Sequence, residues 1–128
     1  MTKESGLPGE QAEALLRELA TWGNTTTIIL HGGCVFEFKG LFPAGEIGHG
    51  YYNLKGTQPG FEGHINLEAI DHIDFQDKPH RGRESYAFTF QDKDNNNIFK
   101  VFIGRDEQGV LLPEQVKRFK QIQQHSAL

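Results

Sequence analysis

The chain of 128 residues contains a single cysteine, Cys34. One cysteine excludes an intramolecular disulfide, so the fold does not depend on an oxidising compartment. The segment from Met1 to Gly6 lacks the apolar run of a secretory signal peptide, and no stretch reaches the roughly 18 apolar residues that cross a bilayer. These absences predict a cytoplasmic protein that is not inserted in a membrane.

The chain also lacks an excess of positive charge. Its formal net charge is −4, which gives no overall attraction to nucleic acid or to anionic lipid. Hydrophobic residues make up 37% of the chain and ten of them are phenylalanine, a composition that is too apolar for a disordered protein. We therefore predict one folded domain over residues 1–128, with a flexible start at 1–8 and a frayed tail at 125–128.

Two segments have the periodicity of amphipathic helices. After Pro8, the residues Leu15, Leu19 and Trp22 recur at spacings of four and three, and Gly23 ends the pattern. The second segment opens at Pro113, a residue that suits the first helical turn. Its apolar side is formed by Val116, Phe119 and Ile122.

Between these helices the pattern changes to the alternation of β-strands, with many turn residues. Gly32 and Gly33 can adopt the positive φ that a tight hairpin needs. Short connections leave no room for crossover helices, so the strands should pair antiparallel. We predict an α+β fold, an antiparallel sheet of about seven to nine strands flanked by an N-terminal and a C-terminal helix. The assigned strands are 25–31, 34–39, 51–55, 61–66, 72–76, 85–91 and 98–103.

Histidines are concentrated in this middle region. Most of them lie at or beside strands, a placement that suggests a ligand groove on a sheet. His31 and His64 are the main candidates, although spacing alone also fits a turn histidine and a hydrogen-bonded strand histidine. The five histidines of this region are His31, His49, His64, His72 and His80.

Two other kinds of site can be weighed against that prediction. His64, Glu68 and His72 are four residues apart and would gather on one helix face as metal ligands, but Gly63 and the β-like neighbours argue against a helix there. Cys34, in a strand context, is expected to be a small core residue rather than a nucleophile.

The loop at 78–84 is the most cationic short stretch of the middle region. Arg81 and Arg83 can present guanidinium groups to carboxylates or phosphates. The alternative is a solvated loop in which one of these arginines pairs with Glu84. His49, just ahead of Tyr51, either lines an aromatic pocket or caps a turn.

Four segments of the chain, taken in order and with their spacing, resemble one known family. The segments are WGNTTTIILH at 22–31, GHGYYNL at 48–54, GHI at 63–65 and FKVFIGRD at 99–106. The chain is similar there to the cytosolic haem-utilisation carriers of the HutX/ChuX type, and the similarity extends from about Leu15 to Phe119. Four matching blocks are far more specific than any single short motif.

This resemblance implies a homodimer with a haem site in a cleft of each protomer. The positions matching His31 and His64 are those implicated in haem binding in that family. The implied function is a non-enzymatic haem carrier that passes haem from an importer to a haem-degrading enzyme or another acceptor. The chain differs in lacking an N-terminal helical segment of longer relatives and in having a more basic loop at 78–84.

Haem chemistry then gives each candidate residue a role. Haem is a flat apolar disc with an electrophilic iron and two anionic propionates, so it requires an apolar slot, an imidazole or phenolate, and cations at the rim. Two alternatives stay open: a haem-degrading enzyme that uses an external reductant, and a protein-interaction module without haem. The expected site comprises His31 and His64 as iron ligands, His49, Tyr51 and Phe36 along the slot, and Arg81 and Arg83 at the propionates.

Overall fold

A computed structural model of the chain describes residues 6–57, 59–79 and 81–128. These residues form nine strands and two α-helices. In chain order the elements are β1 (Gly6–Pro8), α1 (Ala12–Leu19), β2 (Asn24–His31), β3 (Cys34–Leu41), β4 (Gly45–Gly48), β5 (Tyr51–Lys55), β6 (Glu62–Ile65), β7 (His72–Asp77), β8 (Tyr86–Gln91), β9 (Asn97–Ile103) and α2 (Pro113–His125).

The nine strands form two sheets in which every pairing is antiparallel. A six-stranded sheet has the order β1-β7-β8-β9-β2-β3, and a three-stranded sheet has the order β4-β5-β6. The predicted α+β class, the antiparallel pairing and the two helices are therefore confirmed, but the strands are divided between two sheets.

The β2–β3 hairpin extends beyond the rest of the large sheet. His31 pairs with Cys34 across a two-residue turn, where Gly32 and Gly33 have φ values of 60° and 83°. These positive angles fit glycine, which has no Cβ to clash there. On its other side β2 pairs with β9 over only four residues, from Thr25 to Ile28. Among the strands of the described residues, none pairs with the tip of the hairpin as a third strand.

Both helices belong to one hydrophobic core. Phe119 of α2 lies with its ring centroid 4.9 Å from that of Phe88 and 5.3 Å from that of Tyr86. On α1, Leu15, Leu16 and Leu19 are fully buried and belong to the same cluster. Alternation along β8 places its aromatic side chains at 86, 88 and 90 on one face, all three are buried, and Phe119 of α2 packs on the first two.

Two polar groups fasten the helices. The Glu18 carboxylate of α1 accepts hydrogen bonds from Nε and Nη2 of Arg118 in α2, at 2.6 and 2.9 Å. These bonds lower the pKa of Glu18 from its ordinary value. The buried amide of Gln115 donates to the carbonyls of Trp22 and Asn24 and accepts from the amide of Gly104. Helix α2 is thereby hydrogen-bonded to the start of β2 and to the residue that follows β9.

An aromatic contact joins the small sheet to the large one. The ring of Phe61, just before β6, stacks on Phe38 of β3 with 4.7 Å between centroids, and its edge contacts Phe42 at 5.8 Å. Helix α1 adds a second connection, since Arg17 donates to the Gly45 carbonyl at 3.1 Å and its guanidinium lies over the Tyr52 ring. These contacts hold the small sheet against the side of β3 that faces the core.

Several expectations about individual segments need correction. Gly6–Pro8, expected to be flexible, pairs with β7 as β1, and residues 1–5 lie outside the described part of the chain. The expected frayed tail has a defined contact, because the amide of Leu128 donates to Oε1 of Gln11 at 3.3 Å. Cys34 is exposed at the hairpin tip rather than buried in the core, because no third strand covers that tip.

Among the residues described, neither helix has the length and apolar character needed to span a bilayer.

Candidate functional site

His64 lies on the exposed side of the small sheet. It pairs with Asn53 across the β5–β6 ladder, and the Nδ1 atom of its ring lies 2.6 Å from the Asn53 Oδ1 atom. The ring of Tyr51 approaches that of His64 edge-on, with 6.1 Å between centroids. The imidazole is therefore held at Nδ1, and the hydrogen bonds among the described residues include none to its Nε2 atom.

The turn next to His64 contains His49. This residue has a φ of 53° and is exposed between β4 and β5. The exposed fractions of Ile47 and Tyr51 are 54% and 44%, which is high for apolar and aromatic side chains. Ile47 pairs with Tyr52, which places it on the other face of the sheet from His64. We call the three residues His49, Tyr51 and His64 the small-sheet surface.

His31 lies on a second exposed surface, at the tip of the β2–β3 hairpin. In the strand alternation it shares a face with Ile29 and with Phe36, which is 54% exposed. The opposite face of the tip presents Leu30 and Val35, at 43% and 55%. We call the face that carries His31 and Phe36 the hairpin surface. The exposed side chains on the two faces of the tip are unusually apolar for residues in contact with solvent.

Arg81 and Arg83 line a third surface, an open groove of about 680 Å³. Its strand lining includes Thr26 and Ile28, which alternate with the core-facing residues of β2, so the groove lies on the sheet face away from the helices. Other charged residues in the lining are Lys39, Arg105, Glu37, Asp106 and Glu107. We call this surface the arginine groove.

Two guanidinium groups in the arginine groove converge on one carbonyl. Arg83 Nη2 and Arg105 Nη1 donate to the Gly109 oxygen at 2.6 and 3.0 Å. Burial and then the charge of Arg83 lower the pKa of Arg105 from its usual value. Across residues 6–57, 59–79 and 81–128, neither Arg81 nor Arg83 forms an ion pair with a carboxylate, so the expected pairing with Glu84 is absent. Glu84 instead accepts from the Tyr86 hydroxyl at 2.6 Å.

The sequence-predicted residues thus fall on three surfaces rather than in one pocket. His49, Tyr51 and His64 come together on the small-sheet surface. His31 and Phe36 lie together on the hairpin surface, and Arg81 and Arg83 in the arginine groove, whose lining includes neither His31 nor His64. His80 lies outside the described residues.

The helix face that would have gathered His64, Glu68 and His72 does not form, as Gly63 and the β-like neighbours indicated. His64 is in β6, Glu68 is in a single 3-10 turn and His72 is in β7, so the three side chains do not share a helix face. Both ring nitrogens of His72 are engaged, with Asp71 at 2.9 Å and Gln91 at 2.7 Å, and the bond to Asp71 raises the pKa of His72. Within the described residues, no cluster of three or more His, Cys, Asp or Glu side chains is arranged to hold a metal ion.

Asn53 is a residue of the candidate site that the sequence pattern does not reveal. Its amide nitrogen donates to the carbonyls of Gly48 at 3.1 Å, Glu46 at 3.3 Å and Tyr51 at 3.4 Å, which fastens the β4–β5 turn. The signal that could have revealed it is the pairing of 51–55 with 62–65, since antiparallel register places residue 53 opposite His64.

A small α+β domain with exposed histidines on antiparallel strands and an aromatic ring beside one of them has the features of a ligand carrier built on a sheet. The chain belongs to the haem utilisation ChuX/HutX family, whose model matches residues 5–122. This result confirms the family that the sequence resembled.

Individual relatives agree with the family match. The chain is 46% identical over 116 residues to the intracellular haem transport protein HutX of Vibrio cholerae, covering 91% of this chain and 60% of that protein. It thus spans about 60% of the length of this relative. A structure of the haem-binding protein ChuX superposes with a TM-score of 0.85 at 31% identity, covering 94% of this chain and 76% of the other. The haem-degrading enzyme ChuS of Escherichia coli O157:H7 shares the fold at 18% identity and a TM-score of 0.76, covering 94% of this chain and 37% of the enzyme.

Proposed function

We propose that this chain binds haem inside the cell and transfers it to an acceptor, without degrading it. The proposal is supported by HutX, which is named an intracellular haem transport protein, and by ChuX, which is named a haem-binding protein. The importer and the haem-degrading enzyme are the proposed donor and acceptor. The chain is shorter than both relatives, so its activity has to be tested on the chain itself.

The observation that supports the proposal most directly is the hydrogen bonding and exposure of the His64 ring. Haem iron is commonly bound by a neutral imidazole nitrogen, and the other ring nitrogen is usually held by a hydrogen-bond acceptor. His64 fits both conditions, because Asn53 engages Nδ1 and the residue is exposed, and we propose that the other ring nitrogen, Nε2, binds the iron. The neighbouring Tyr51 ring offers an aromatic edge to the porphyrin.

His31 is the second proposed iron ligand, with Phe36 as an apolar wall. Both lie on the hairpin surface, where Phe36 is more than half exposed. A porphyrin that covered this surface would remove apolar side chains from water, at about 25 cal/mol per Å² of area buried. His49 is proposed to line the slot next to Tyr51.

We further propose that a second copy of the chain completes the site. Strand β3 is an edge strand of eight residues with Val35 and Phe36 exposed, and an open edge of this kind is a template for pairing. Two copies related by a two-fold axis would bury the same surface on each and form a cleft between them. Sedimentation of the apo chain should give the mass of a dimer, and Val35→Asp should give a monomer.

Arg81 and Arg83 are proposed to bind the two propionates. The arginine groove does not include either proposed iron ligand, so the guanidinium groups of one chain are proposed to reach a haem that the other chain holds. Among the described residues neither guanidinium pairs with a carboxylate, although Arg83 Nη2 donates to the Gly109 carbonyl, and the remaining guanidinium nitrogens are proposed to contact the propionates.

A carrier has to release its cargo, so a closed and dry pocket is not required. A dissociation constant of about 1 μM corresponds to about −8 kcal/mol, which one iron–imidazole bond and partial burial of the ring can supply. The exposed positions of His31 and His64 fit such moderate affinity.

The test is transfer from the loaded protein. The chain saturated with haemin is mixed with apomyoglobin, and the absorption of the two holoproteins is followed over time. A carrier transfers its haem at a measurable rate, and incubation with ascorbate yields no defined tetrapyrrole product. A defined ring-opened product with iron release would assign the haem-degrading alternative. The absence of stoichiometric haem binding would assign the protein-interaction alternative.

A further inference from the structure

The side chain of Asn53 has only one orientation that satisfies its neighbours. Three backbone carbonyls, those of Glu46, Gly48 and Tyr51, lie within 3.4 Å of its amide nitrogen. Carbonyl oxygens only accept hydrogen bonds, so the donor NH₂ group has to face them. The Oδ1 atom of Asn53 consequently points the other way, toward His64.

This orientation determines the tautomer of His64. The Asn53 Oδ1 atom lies 2.6 Å from Nδ1 of the His64 ring, and an amide oxygen can only accept. The proton of the neutral ring therefore resides on Nδ1, and the lone pair is on Nε2. The backbone of the β4–β5 turn thus determines, through one amide, which nitrogen of His64 can bind a metal.

We infer that Asn53 is a positioning residue that presents Nε2 of His64 to haem iron and keeps the iron–imidazole bond weak enough for transfer. The inference rests on the proposed function. A carboxylate at this position would draw the Nδ1 proton more strongly and raise the basicity of the ligand, whereas an amide is a neutral acceptor. A neutral acceptor suits a protein that has to give up ferric haem.

The first test needs neither a variant nor haem. Nitrogen-15 NMR of the histidine side chains in the apo protein, above the titration of the rings, reports which nitrogen carries the proton. We expect a protonated Nδ1 and an unprotonated Nε2 for His64. A protonated Nε2 would overturn the inference, even if every substitution at position 53 failed to fold.

The second test measures haem release. We expect N53D to release ferric haem to apomyoglobin about tenfold more slowly than the unmodified protein, and N53L to bind haem about tenfold more weakly with mixed tautomers at His64. The matched control is N95D, which adds the same charge in the exposed turn between β8 and β9. The iron–histidine stretching frequency of the ferrous complex should rise in N53D and stay unchanged in N95D.

The outcomes separate this inference from the proposed function. If His64→Ala removes haem binding while both variants at Asn53 keep the wild-type release rate and stretching frequency, the carrier function stands and the positioning role is overturned. If His64→Ala leaves haem binding unchanged, the ligand assignment and the positioning role both fail.

Discussion

The ring of Phe61 stacks on that of Phe38 with 4.7 Å between centroids, and this contact joins the two surfaces that carry the proposed iron ligands. Phe38 belongs to β3, in the hairpin that ends at His31, and Phe61 directly precedes the strand of His64. The relative position of the two histidines therefore depends on contacts between two sheets, this aromatic stack and the contacts of Arg17, rather than on a continuous sheet.

Replacing Phe61 with alanine should loosen this junction. The half-buried ring loses its stack on Phe38 and its edge contact with Phe42, and we expect the free energy of unfolding to fall by about 2 kcal/mol. Haem affinity should fall as well, because the small sheet is held less firmly. Urea unfolding and haemin titration measure the two effects, and Phe61→Leu should lose less of both. An alanine variant as stable as the unmodified protein would contradict this role.

Among single substitutions of polar residues, we expect replacement of Gln115 to cause the largest loss of stability. Gln115→Leu would remove the side-chain partner of the buried Gly104 amide and of two partly buried backbone carbonyls, those of Trp22 and Asn24. We expect a loss of about 3 kcal/mol, equivalent to a fall of about 10 °C in Tm. The control is Gln124→Leu on an exposed position of the same helix, which should change Tm little. Equal melting temperatures for the two variants would contradict the role of Gln115.

The ion pair between α1 and α2 predicts an acid-dependent loss of stability. The Arg118 hydrogen bonds lower the pKa of Glu18 in the folded state, so the pair contributes stability above the pKa of an unfolded glutamate and loses it as the pH falls through the folded pKa. Glu18→Gln should cost about 1 kcal/mol at neutral pH, since the pair is partly exposed.

The difference in the free energy of unfolding between Glu18→Gln and the unmodified protein should disappear in acid. Denaturant unfolding at a series of pH values from neutral to acidic measures this difference. Glu13→Gln, which removes the more exposed pair with Arg17, should cost less at neutral pH. A difference in the free energy of unfolding that persists at the lowest pH would show that the charge of Glu18 does not contribute to stability.

The arginine groove can be tested by changing protein and ligand together. The double variant Arg81→Gln and Arg83→Gln should bind haem about fivefold more weakly, which corresponds to about 1 kcal/mol. Haem dimethyl ester, whose propionates carry no charge, should bind both forms equally. Lys93→Gln, in the turn between β8 and β9, serves as the charge control. Equal loss of affinity for haem and for its ester would contradict a propionate site.

Local signals in the sequence predicted much of the fold. Gly32 and Gly33 marked the turn of the first hairpin, and Pro113 marked the start of α2 at the residue where the structure has it. Both features depend on neighbouring residues alone. Strand β4 (Gly45–Gly48) was missed because it contains one apolar residue, Ile47, and so has no alternation to detect.

The arrangement of the candidate site could not be predicted in the same way. The pair of Asn53 and His64 depends on the register between two strands separated by a loop, and nothing in either strand alone fixes that register. The exposure of Cys34 depends on β9 ending its pairing at Ile28 of β2. Both are long-range properties, whereas the residue pattern reports local preference.

The central claim is that His64 binds the iron, and a haemin titration followed by visible absorption tests it most directly. His64→Ala should weaken haem binding at least about tenfold and change the spectrum of the complex, because the iron loses a coordinate bond. His125→Ala, which removes an exposed histidine at the end of α2, should match the unmodified protein. Identical spectra and affinities for His64→Ala and the unmodified protein would contradict the account.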